Sequence, residues 1–404
     1  MENEARAITR RDFVKGSAAV GGLSVVSSRS AFGTQANSAV TVGLIGCGGR
    51  GTHDVSKFKD NANARVVALA DVFEDRLKSA SDRFADDSPK TFEGMQAYEE
   101  LLESDVDVVF IVSPPYFHPE QFEAAVDAEK HIYLEKPVAV DTAGALKVKA
   151  AGVKAADNQT IFVGFQSRSR EDLVQGVKRV HNGAIGPVTC GKAYYNSGWL
   201  SPRHQRGEKP DEARLRNWVF DIVLSGCILV EQNIHVIDIC NWAVGSHPFK
   251  AYGTGGRRHR TEVGDTWDHY EILFTYPNDA VISFTSTQFL DLGWDNAGEA
   301  FYGPKGDMEV FGWMPEAKRV RIRGQEPWEF ETTPADFEAS KMQQFYESIT
   351  SGTGINQTAQ GVEATLSAIL GRTAAFRGRE YTWAEMLREG ESWSANLSIE
   401  PNRM

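Results

Sequence analysis

The chain has 404 residues, of which 41% are hydrophobic and 24% are charged. These proportions are typical of a folded protein with room for two domains, and they exclude a chain that is disordered throughout. The formal net charge of −12 argues against nucleic acid as a partner, because binding to a polyanion depends on clustered lysine and arginine side chains. The composition therefore favours a small ligand without strong negative charge.

The N-terminal segment carries the pattern of an export signal. Arg10 and Arg11 precede Phe13 and Lys15, and a mildly apolar run follows from Gly16 to Val26. This order is typical of a twin-arginine signal, with an arginine pair on a disordered tail as the alternative. The apolar run is too short and too rich in glycine and serine to cross a membrane as a helix.

The signal predicts where the protein resides. Its cleavage site is expected between Ala31 and Ala39, so residues 1–38 are interpreted as signal and spacer. Export by the twin-arginine machinery predicts a periplasmic protein without a stable membrane anchor. The four cysteines show neither CxxC spacing nor a zinc-ligand pattern with the nine histidines, so no metal site is predicted.

A glycine loop follows the first predicted strand. Residues 46–51 read Gly-Cys-Gly-Gly-Arg-Gly, which matches the G-x-G-x-x-G dinucleotide-binding pattern between a strand and a helix. Gly46 permits the tight turn, Gly48 lets a pyrophosphate approach the backbone, and Gly51 lets the helix pack on the strand. With Gly49, these residues predict a phosphate site at a helix N-terminus, which offers N–H groups and partial positive charge.

An acidic residue predicts which dinucleotide is bound. A second apolar strand, Arg65–Ala70, ends in Asp71, twenty residues beyond Gly51. At this spacing a carboxylate meets the adenosine ribose hydroxyls, which favours NAD over NADP. The positive charge of Arg76 suits the 2′-phosphate of NADP and keeps NADP as an alternative. Arg50 is expected either to contact a phosphate or to lie in solvent.

Strands and helices alternate up to about residue 164. The predicted helices are Glu74–Phe84, Tyr98–Leu102, His118–Lys130 and a helix capped by Asp141 that runs to about Ala156, and the predicted strands are Val106–Val112, Ile132–Leu134 and Ile161–Gly164. This alternation predicts an α/β dinucleotide-binding domain over residues 39–164, with a parallel, doubly wound sheet.

Beyond residue 164 several runs alternate in polarity. The predicted strands are Val188–Tyr195, Tyr270–Tyr276, Ala280–Phe289 and Arg319–Ile322, and the predicted helices are Glu171–His181, Val230–Ala243, Phe337–Thr350 and Gly361–Arg377. Residues 165–404 are therefore interpreted as an α+β domain with a large, mostly antiparallel open sheet. This sheet is expected to face the active site or to build a homo-oligomer.

Three residues carry groups suited to acid–base chemistry. Lys136 follows a short strand, at the strand end where open α/β sheets bind ligands. Glu231 and His235 stand four residues apart in a helical pattern and are expected on one helix face. Imidazole titrates near neutral pH and an ammonium stabilises an alkoxide, so these groups can take a proton from an alcohol. The alternatives are a solvated lysine and a core histidine.

Candidate substrate contacts lie after the predicted parallel sheet. The polar and aromatic stretch 194–220 includes Trp199, Asn217 and Trp218, whose side chains suit the C–H faces and hydroxyls of a sugar. Arg168, after the last strand of the predicted parallel sheet, is a further candidate. A surface excursion or a subunit contact is the alternative for all of them.

The chain after the signal resembles the glucose–fructose oxidoreductase/inositol dehydrogenase family, called Gfo/Idh/MocA. The resemblance rests on the glycine loop, Asp71, the Ser113-Pro114 turn with His118, the tripeptide Glu135-Lys136-Pro137, the helix motif His235-x-x-Asp238 and the tail Tyr381-Thr382-Trp383. It implies a Rossmann domain followed by an α+β domain. It also implies that Arg50, Ser113, His118, Glu135 and Lys136 belong to the cofactor site.

The same resemblance implies roles for the three acid–base residues. Lys136 corresponds to the catalytic lysine, His235 to the general acid/base and Glu231 to the supporting carboxylate. The family commonly has Asp-x-Gly-x-His here, so Glu231 is one methylene longer and Asn233 replaces the glycine. Asp238 is expected either to contact the substrate or only to cap a helix or form an ion pair.

The predicted activity is NAD-dependent hydride transfer at a secondary hydroxyl of a sugar, sugar derivative or cyclitol. Because no soluble NADH pool exists outside the cytoplasm, the cofactor is expected to be retained after export. One alternative is a redox-neutral NAD-dependent glycoside hydrolase, in which oxidation, elimination, hydration and re-reduction leave no net redox change. Another is a nucleotide-binding sensor without turnover.

Overall fold

A computed structural model describes residues 39–203, 208–290, 296–311, 319–330 and 336–399. The predicted twin-arginine segment, residues 1–38, lies outside the described residues, as do residues 204–207 of the polar stretch 194–220. The described chain folds around two sheets, one of six strands and one of nine.

The first sheet is parallel and confirms the predicted α/β class. Its strands are β1 (Val40–Ile45), β2 (Ala64–Asp71), β3 (Lys90–Glu93), β4 (Val108–Ile111), β5 (His131–Leu134) and β6 (Ile161–Val163). The helices between them are α1 (Gly49–Asn61), α2 (Glu74–Arg83), α3 (Ala97–Glu103), α4 (His118–Asp127) and α5 (Thr142–Lys154). The strand order β3-β2-β1-β4-β5-β6 is that of a doubly wound, dinucleotide-binding fold.

The parallel arrangement positions the site. All residues of β4 are buried, as expected for a strand covered by helices on both faces. Asp141 caps α5 as predicted, because its Oδ1 accepts a hydrogen bond from the Gly144 N–H at 2.7 Å. Since the strands run the same way, the segments after them meet at one edge, and these segments carry the glycine loop, Ser113 and Lys136. Asp71 ends β2 at the same edge.

The second sheet is mostly antiparallel, as predicted. Its strands are β7 (Cys190–Gly198), β8 (Lys250–Gly256), β9 (His269–Thr275), β10 (Val281–Leu290), β11 (Asn296–Gly303), β12 (Gly306–Phe311), β13 (Arg319–Gly324), β14 (Trp328–Glu329) and β15 (Tyr381–Thr382). They lie in the order β14-β13-β12-β11-β7-β10-β9-β8-β15, and β7 and β10 pair in parallel. The predicted set lacked β8, β11, β12, β14 and β15. Glycines lower the local strand propensity of β8 and β11, and β14 and β15 have only two residues each.

The second half of the chain also contains helices. They are α6 (Glu171–His181), α7 (Pro210–Arg216), α8 (Ile222–Ser225), α9 (Ile228–Glu231), α10 (Ile234–Val244), α11 (Phe337–Ser351), α12 (Thr358–Arg377) and α13 (Trp383–Glu389). Short 3₁₀ turns span Ala85–Asp87, Pro115–Phe117, Gln166–Ser169 and Trp218–Phe220.

The predicted single helix Val230–Ala243 is wrong. The helical segments Ile222–Glu231 and Ile234–Val244 meet at an angle of 49°. Buried Asn233 lies at the break, and its Oδ1 accepts a hydrogen bond from the Ser286 hydroxyl of β10 at 2.6 Å. A short polar side chain that bonds outside the helix competes with helical continuation, which explains the break.

No single described helix is long and apolar enough to cross a membrane, and the bent pair just named meets that criterion only by length and composition. Most residues of α10 are buried within the protein.

Candidate active site

The glycine loop is shaped by two close approaches. Gly46 has φ +92°, and a Cβ there would lie 2.6 Å from the backbone of Val112 and Ser113. A Cβ on Gly51 would lie 2.1 Å from the carbonyl oxygen of Gly46. Both positions therefore require glycine, one for a left-handed turn and one for contact between α1 and β1.

The loop leaves a helix N-terminus open to a phosphate. Gly48 is the N-cap of α1, no side chain caps its first turn, and no acidic residue lies in that turn. A Cβ on Gly49 would meet no atom within 4 Å. Uncapped N–H groups beside open space are what a pyrophosphate needs, so these residues fit a dinucleotide.

Asp71 lies beside the loop. Its carboxylate accepts hydrogen bonds from the backbone N–H of Cys47 at 2.8 Å and of Phe73 at 2.9 Å. Burial raises the pKa of Asp71, and the nearby Arg76 guanidinium opposes that shift. The loop, Asp71 and Arg76 line a cleft of about 930 Å³, large enough for a dinucleotide.

A second, smaller pocket contains the predicted catalytic residues. It has a volume of about 270 Å³ and is lined by Lys136, Glu231 and His235. The Lys136 Nζ donates to the Glu231 Oε1 at 3.0 Å and to the Glu231 backbone carbonyl at 2.7 Å. Although α9 ends at Glu231 and α10 begins after it, the break keeps both side chains at the pocket. The two cavities share Ser113 and Trp218, so they adjoin.

His235 is buried, with 8% of its surface exposed. Burial and the neighbouring Lys136 ammonium lower its pKa well below the ordinary value of 6.5. The expectation of an ionisation near neutral pH is therefore revised, since the imidazole stays neutral to more acidic pH. A neutral imidazole is the form that accepts a proton from a hydroxyl.

Arg50 lines both cavities and also takes part in an ion network. Its guanidinium contacts Glu135 at 3.2 Å, Asp54 at 3.1 Å and Glu338 at 3.2 Å. Burial acts to raise the pKa of Glu135, but Arg50 and Lys341 outweigh it and lower that pKa to about 2. Glu135 is thus an ionised, buried residue beside the pocket.

Glu135 also holds the backbone of the neighbouring lysine. Its Oε2 accepts a hydrogen bond from the Lys136 N–H at 3.0 Å, and its Oε1 accepts one from the Tyr133 hydroxyl at 3.1 Å. A Cβ on Gly164 would lie 2.5 Å from the same carboxylate, so this glycine makes room for it. These contacts position Lys136 through its own main chain.

His118 joins two loops at the pocket rim. Its ring nitrogens lie 2.8 Å from the carbonyl oxygens of Pro137 and Ser113. Burial lowers the pKa of His118 to about 4. This histidine, predicted to belong to the cofactor site, lines the small pocket and braces Ser113 against the segment that carries Lys136.

Most of the predicted substrate residues lie outside both cavities. Arg168 and Asp238 form a bidentate pair with two contacts of 2.8 Å, and neither lines a described cavity. Asn217 is buried and donates to the Ala213 carbonyl at 2.8 Å, which closes the end of α7. Trp199 is 45% exposed. Trp218 alone of the five predicted substrate residues lines both cavities, and the other four assignments remain predictions.

Sequence reasoning missed several residues of the site. Gln166 lines the small pocket, and Leu215 lines the large cleft. The fully buried Lys341 contacts Glu338 at 2.8 Å beneath the pocket. Glu338 and Lys341 stand three residues apart on a predicted helix, a spacing typical of a surface ion pair, and no sequence pattern marks their burial.

Comparison with known protein families agrees with this geometry. Residues 40–165 match the model of an oxidoreductase family with an NAD-binding Rossmann fold, and residues 174–312 match the GFO/IDH/MocA C-terminal domain. The chain belongs to the Gfo/Idh/MocA family. It is accordingly an NAD-binding oxidoreductase, and both the predicted cofactor and the predicted enzyme class are confirmed.

Known relatives of the chain act on sugars and cyclitols. Myo-inositol 2-dehydrogenase of Thermotoga maritima is 26% identical over 271 residues, which cover 67% of this chain and 72% of that protein. Glycosyl hydrolase family 109 protein 2 of Shewanella sp. is 34% identical over 153 residues, 32% of this chain and 34% of that protein. The aldose-aldose oxidoreductase of Caulobacter crescentus shares the fold with a TM-score of 0.69 at 20% identity, covering 85% of this chain and 99% of that chain.

Proposed function

We propose that this Gfo/Idh/MocA protein oxidises or reduces a secondary hydroxyl of a sugar, sugar derivative or cyclitol. The observation that carries the proposal is one pocket that holds Lys136, Glu231 and His235 and adjoins the dinucleotide cleft. An ammonium and a neutral imidazole at one pocket suit the removal of a proton from a carbinol.

Three residues of the small pocket have different roles in the proposed reaction. NAD supplies the hydride acceptor or donor when it is bound. His235 takes the hydroxyl proton during oxidation and returns it during reduction. The Lys136 ammonium stabilises the developing alkoxide, and Glu231 holds that ammonium through two hydrogen bonds, at 2.7 and 3.0 Å. The glycine loop would hold the pyrophosphate of that NAD, and Asp71 would hold its adenosine ribose.

The expected substrate is a polyhydroxylated ring. The small pocket combines one aromatic side chain, Trp218, with charged and amide groups that include Gln166 and Glu231. A sugar or cyclitol offers both C–H faces and hydroxyls, so it matches such a lining. The related myo-inositol 2-dehydrogenase supports this class of substrate.

A substrate screen tests the proposal. The purified protein, with its bound dinucleotide and with added NAD, is incubated with free aldoses, their alcohols and inositols, and reduction of bound or added NAD is followed by absorbance. We expect turnover with at least one of them in the wild type and its loss in Lys136→Ala. Absence of turnover with every compound, while NADH still binds, would contradict the proposal.

A second candidate function is redox-neutral glycoside cleavage. The relative named as a glycosyl hydrolase of family 109 supports it, because it shares 34% identity with this chain over 153 residues. In this reaction a ring hydroxyl is oxidised, the acidified neighbouring C–H permits elimination of the anomeric group, water adds, and the same hydride returns. Aryl glycosides distinguish the two functions, since cleavage would release the phenol without net NADH formation.

We further propose export with the cofactor retained. The Arg10-Arg11 pair supports the twin-arginine route, on which proteins fold before transport. The variant with Arg10→Lys and Arg11→Lys keeps the charge but removes both guanidinium groups. We expect this variant to accumulate as precursor in the cytoplasm. We also expect the wild-type protein purified from the periplasm to release a dinucleotide when it is denatured. Normal export of the variant would overturn the assignment.

A further inference from the structure

A segment from the second half of the chain reaches back to the dinucleotide cleft. Arg203, Leu215 and Trp218 line the cleft together with the glycine loop, although all three follow β7. Leu215 lies near the end of α7 and is 3% exposed. The cleft therefore has a wall that the Rossmann sheet does not supply.

Arg216, the last residue of α7, fastens this wall to the Rossmann sheet. Its guanidinium forms a bidentate pair with Asp75, with contacts of 2.7 and 3.1 Å. It also lies over the Phe73 ring, with 3.8 Å between Cζ and the ring centroid. Phe73 and Asp75 both line the cleft and follow Asp71, so the contact is made beside the predicted ribose site.

A small apolar cluster seals the same seam. Its buried members are Phe73 from the Rossmann half, Leu215 and Leu224 from the second half, and Ala395 from the C-terminal tail. This cluster is separate from the two larger cores. The seam is therefore a local structure with few buried side chains, and such structures open at less cost than the fold as a whole.

The C-terminal tail holds α7 from outside. The Arg214 guanidinium donates to the Ala395 carbonyl at 2.5 Å, and the Ser398 N–H donates to the Asp211 carboxylate at 2.8 Å. The Ala395 N–H in turn donates to the Tyr116 hydroxyl at 3.1 Å. The tail thus ties α7 to the loop after β4.

We propose that α7 is a clasp over the adenosine end of the cleft, with Arg216 as its latch, and that NAD enters and leaves when the clasp opens. The inference rests on NAD binding and on the role of Asp71, and it needs no particular substrate. It deepens the proposed retention of cofactor, because a latch slows exchange without requiring tighter contacts to the dinucleotide itself.

Rates of NADH binding and release test the clasp. NADH fluorescence in a stopped-flow instrument gives the association rate constant, and displacement by excess NAD gives the dissociation rate constant. In Arg216→Ala we expect both constants to rise by roughly the same factor, on the order of tenfold, because the closed state loses a bidentate pair and a stacking contact. The dissociation constant should change by less than about threefold.

Two more variants keep the test decisive. Asp75→Asn removes the latch pair while leaving Arg216 in place, and it should change both rates in the same direction. Arg377→Ala is the matched control, since Arg377 also stacks on a ring, Tyr381, and pairs with Glu389, but at the far edge of the second sheet. Unchanged rates in Arg216→Ala would overturn the clasp. A rise in dissociation alone would also overturn it, because Arg216 would then be an affinity contact. No sugar is used, so failure of the proposed reaction leaves this result interpretable.

Discussion

Glu231 accepts two hydrogen bonds from the Lys136 ammonium and so orients it. Glu231 offers both its carboxylate and its main-chain carbonyl, at 3.0 and 2.7 Å. The longer glutamate reaches Lys136 from the end of α9, so the extra methylene relative to the family's aspartate does not break the contact. One N–H of the ammonium is left to meet a substrate oxygen.

Alanine variants of Lys136 and His235 test the acid–base assignment. Each should still bind NADH, because neither residue lies in the glycine loop, and each should lose on the order of 10²–10⁴ in kcat. The double variant should lose much less than the product of the two losses, since the groups act on one proton. His181→Ala serves as a control on an exposed histidine. Turnover near the wild-type rate in either single variant would exclude the assignment.

The pH dependence follows from the burial of His235. Because its pKa lies below 6.5, the imidazole remains neutral as the pH falls from about 8 to about 6. The rate of alcohol oxidation at limiting substrate should stay level over this range and fall only at more acidic pH, where the base becomes protonated. A steady-state profile that loses half its rate near pH 7 through His235 would contradict this prediction.

Substitutions of Asp71 test whether the protein prefers NADH to NADPH. Asp71→Ala should weaken NADH binding about tenfold to a hundredfold, because the ribose hydroxyls lose a charged acceptor, and should narrow the preference over NADPH. Asp71→Asn keeps an acceptor oxygen for the Cys47 N–H and separates loss of charge from loss of loop structure. Fluorescence titration with both nucleotides measures the effect. Tighter binding of NADPH than NADH to the wild type would refute the assignment.

At the scale of elements, a network of ionisable side chains, most of them buried, joins three parts of the chain. Arg50 and Asp54 lie on α1, Glu135 follows β5, and Lys341 lies on α11. Lys341 and Asp54 are fully buried, and their closest atoms are 4.0 Å apart. The network therefore links the helix of the glycine loop to the segment of Lys136 and to a helix from the end of the chain.

This network predicts a dependence of stability on pH. Burial raises the pKa of Asp54 from 3.8 to about 8, so between these values the folded protein binds more protons than the unfolded chain. The stabilisation from this group is complete below 3.8 and is lost as the pH rises through about 8. As the pH rises from about 5 to about 8, the free energy of unfolding of the wild type should fall relative to that of Asp54→Asn. The expected slope of this difference is up to about 1.4 kcal/mol per pH unit.

Denaturant unfolding at several pH values measures this difference. Asp157→Asn, at an exposed position, is the matched control and should follow the wild-type profile. Parallel profiles for wild type and Asp54→Asn would show that Asp54 is ionised in the folded protein, contrary to the prediction.

At the scale of the whole molecule, the second sheet leaves one face open. Tyr252 and Leu273 stand directly opposite each other on β8 and β9, and they are 54% and 43% exposed. The alternate residue Gly253 faces α12, where a Cβ would lie 3.5 Å from Ala375. An exposed apolar pair on a broad sheet is a surface that association would cover.

We expect the predicted homo-oligomer to form through this open face. Leu273→Glu places a charge opposite Tyr252 and should shift the protein toward monomer, as measured by light scattering after size exclusion. Val153→Glu, at an even more exposed position on α5, should leave the mass unchanged. A monomeric wild type, or a Leu273→Glu oligomer of unchanged mass, would refute this interface.

Local patterns in the sequence were enough to locate the chemistry. The glycine loop, Asp71 and Lys136 each stand at or just beyond the end of a predicted strand, and parallel strands bring such positions to one edge whatever the remaining details are. The α/β class and the mostly antiparallel second sheet followed in the same way from alternation of elements and of polarity. These inferences needed only neighbours along the chain.

Other features depend on atoms distant in the sequence, and only the tertiary structure decided them. Arg168 pairs with Asp238, seventy residues away. Asn233 breaks a helix because Ser286 of another strand meets its side chain. Arg216 reaches Asp75 across the cleft. A sequence shows that a side chain can pair or hydrogen-bond, but the partner that satisfies it is chosen by packing, because a buried polar group must be paired wherever the fold places it.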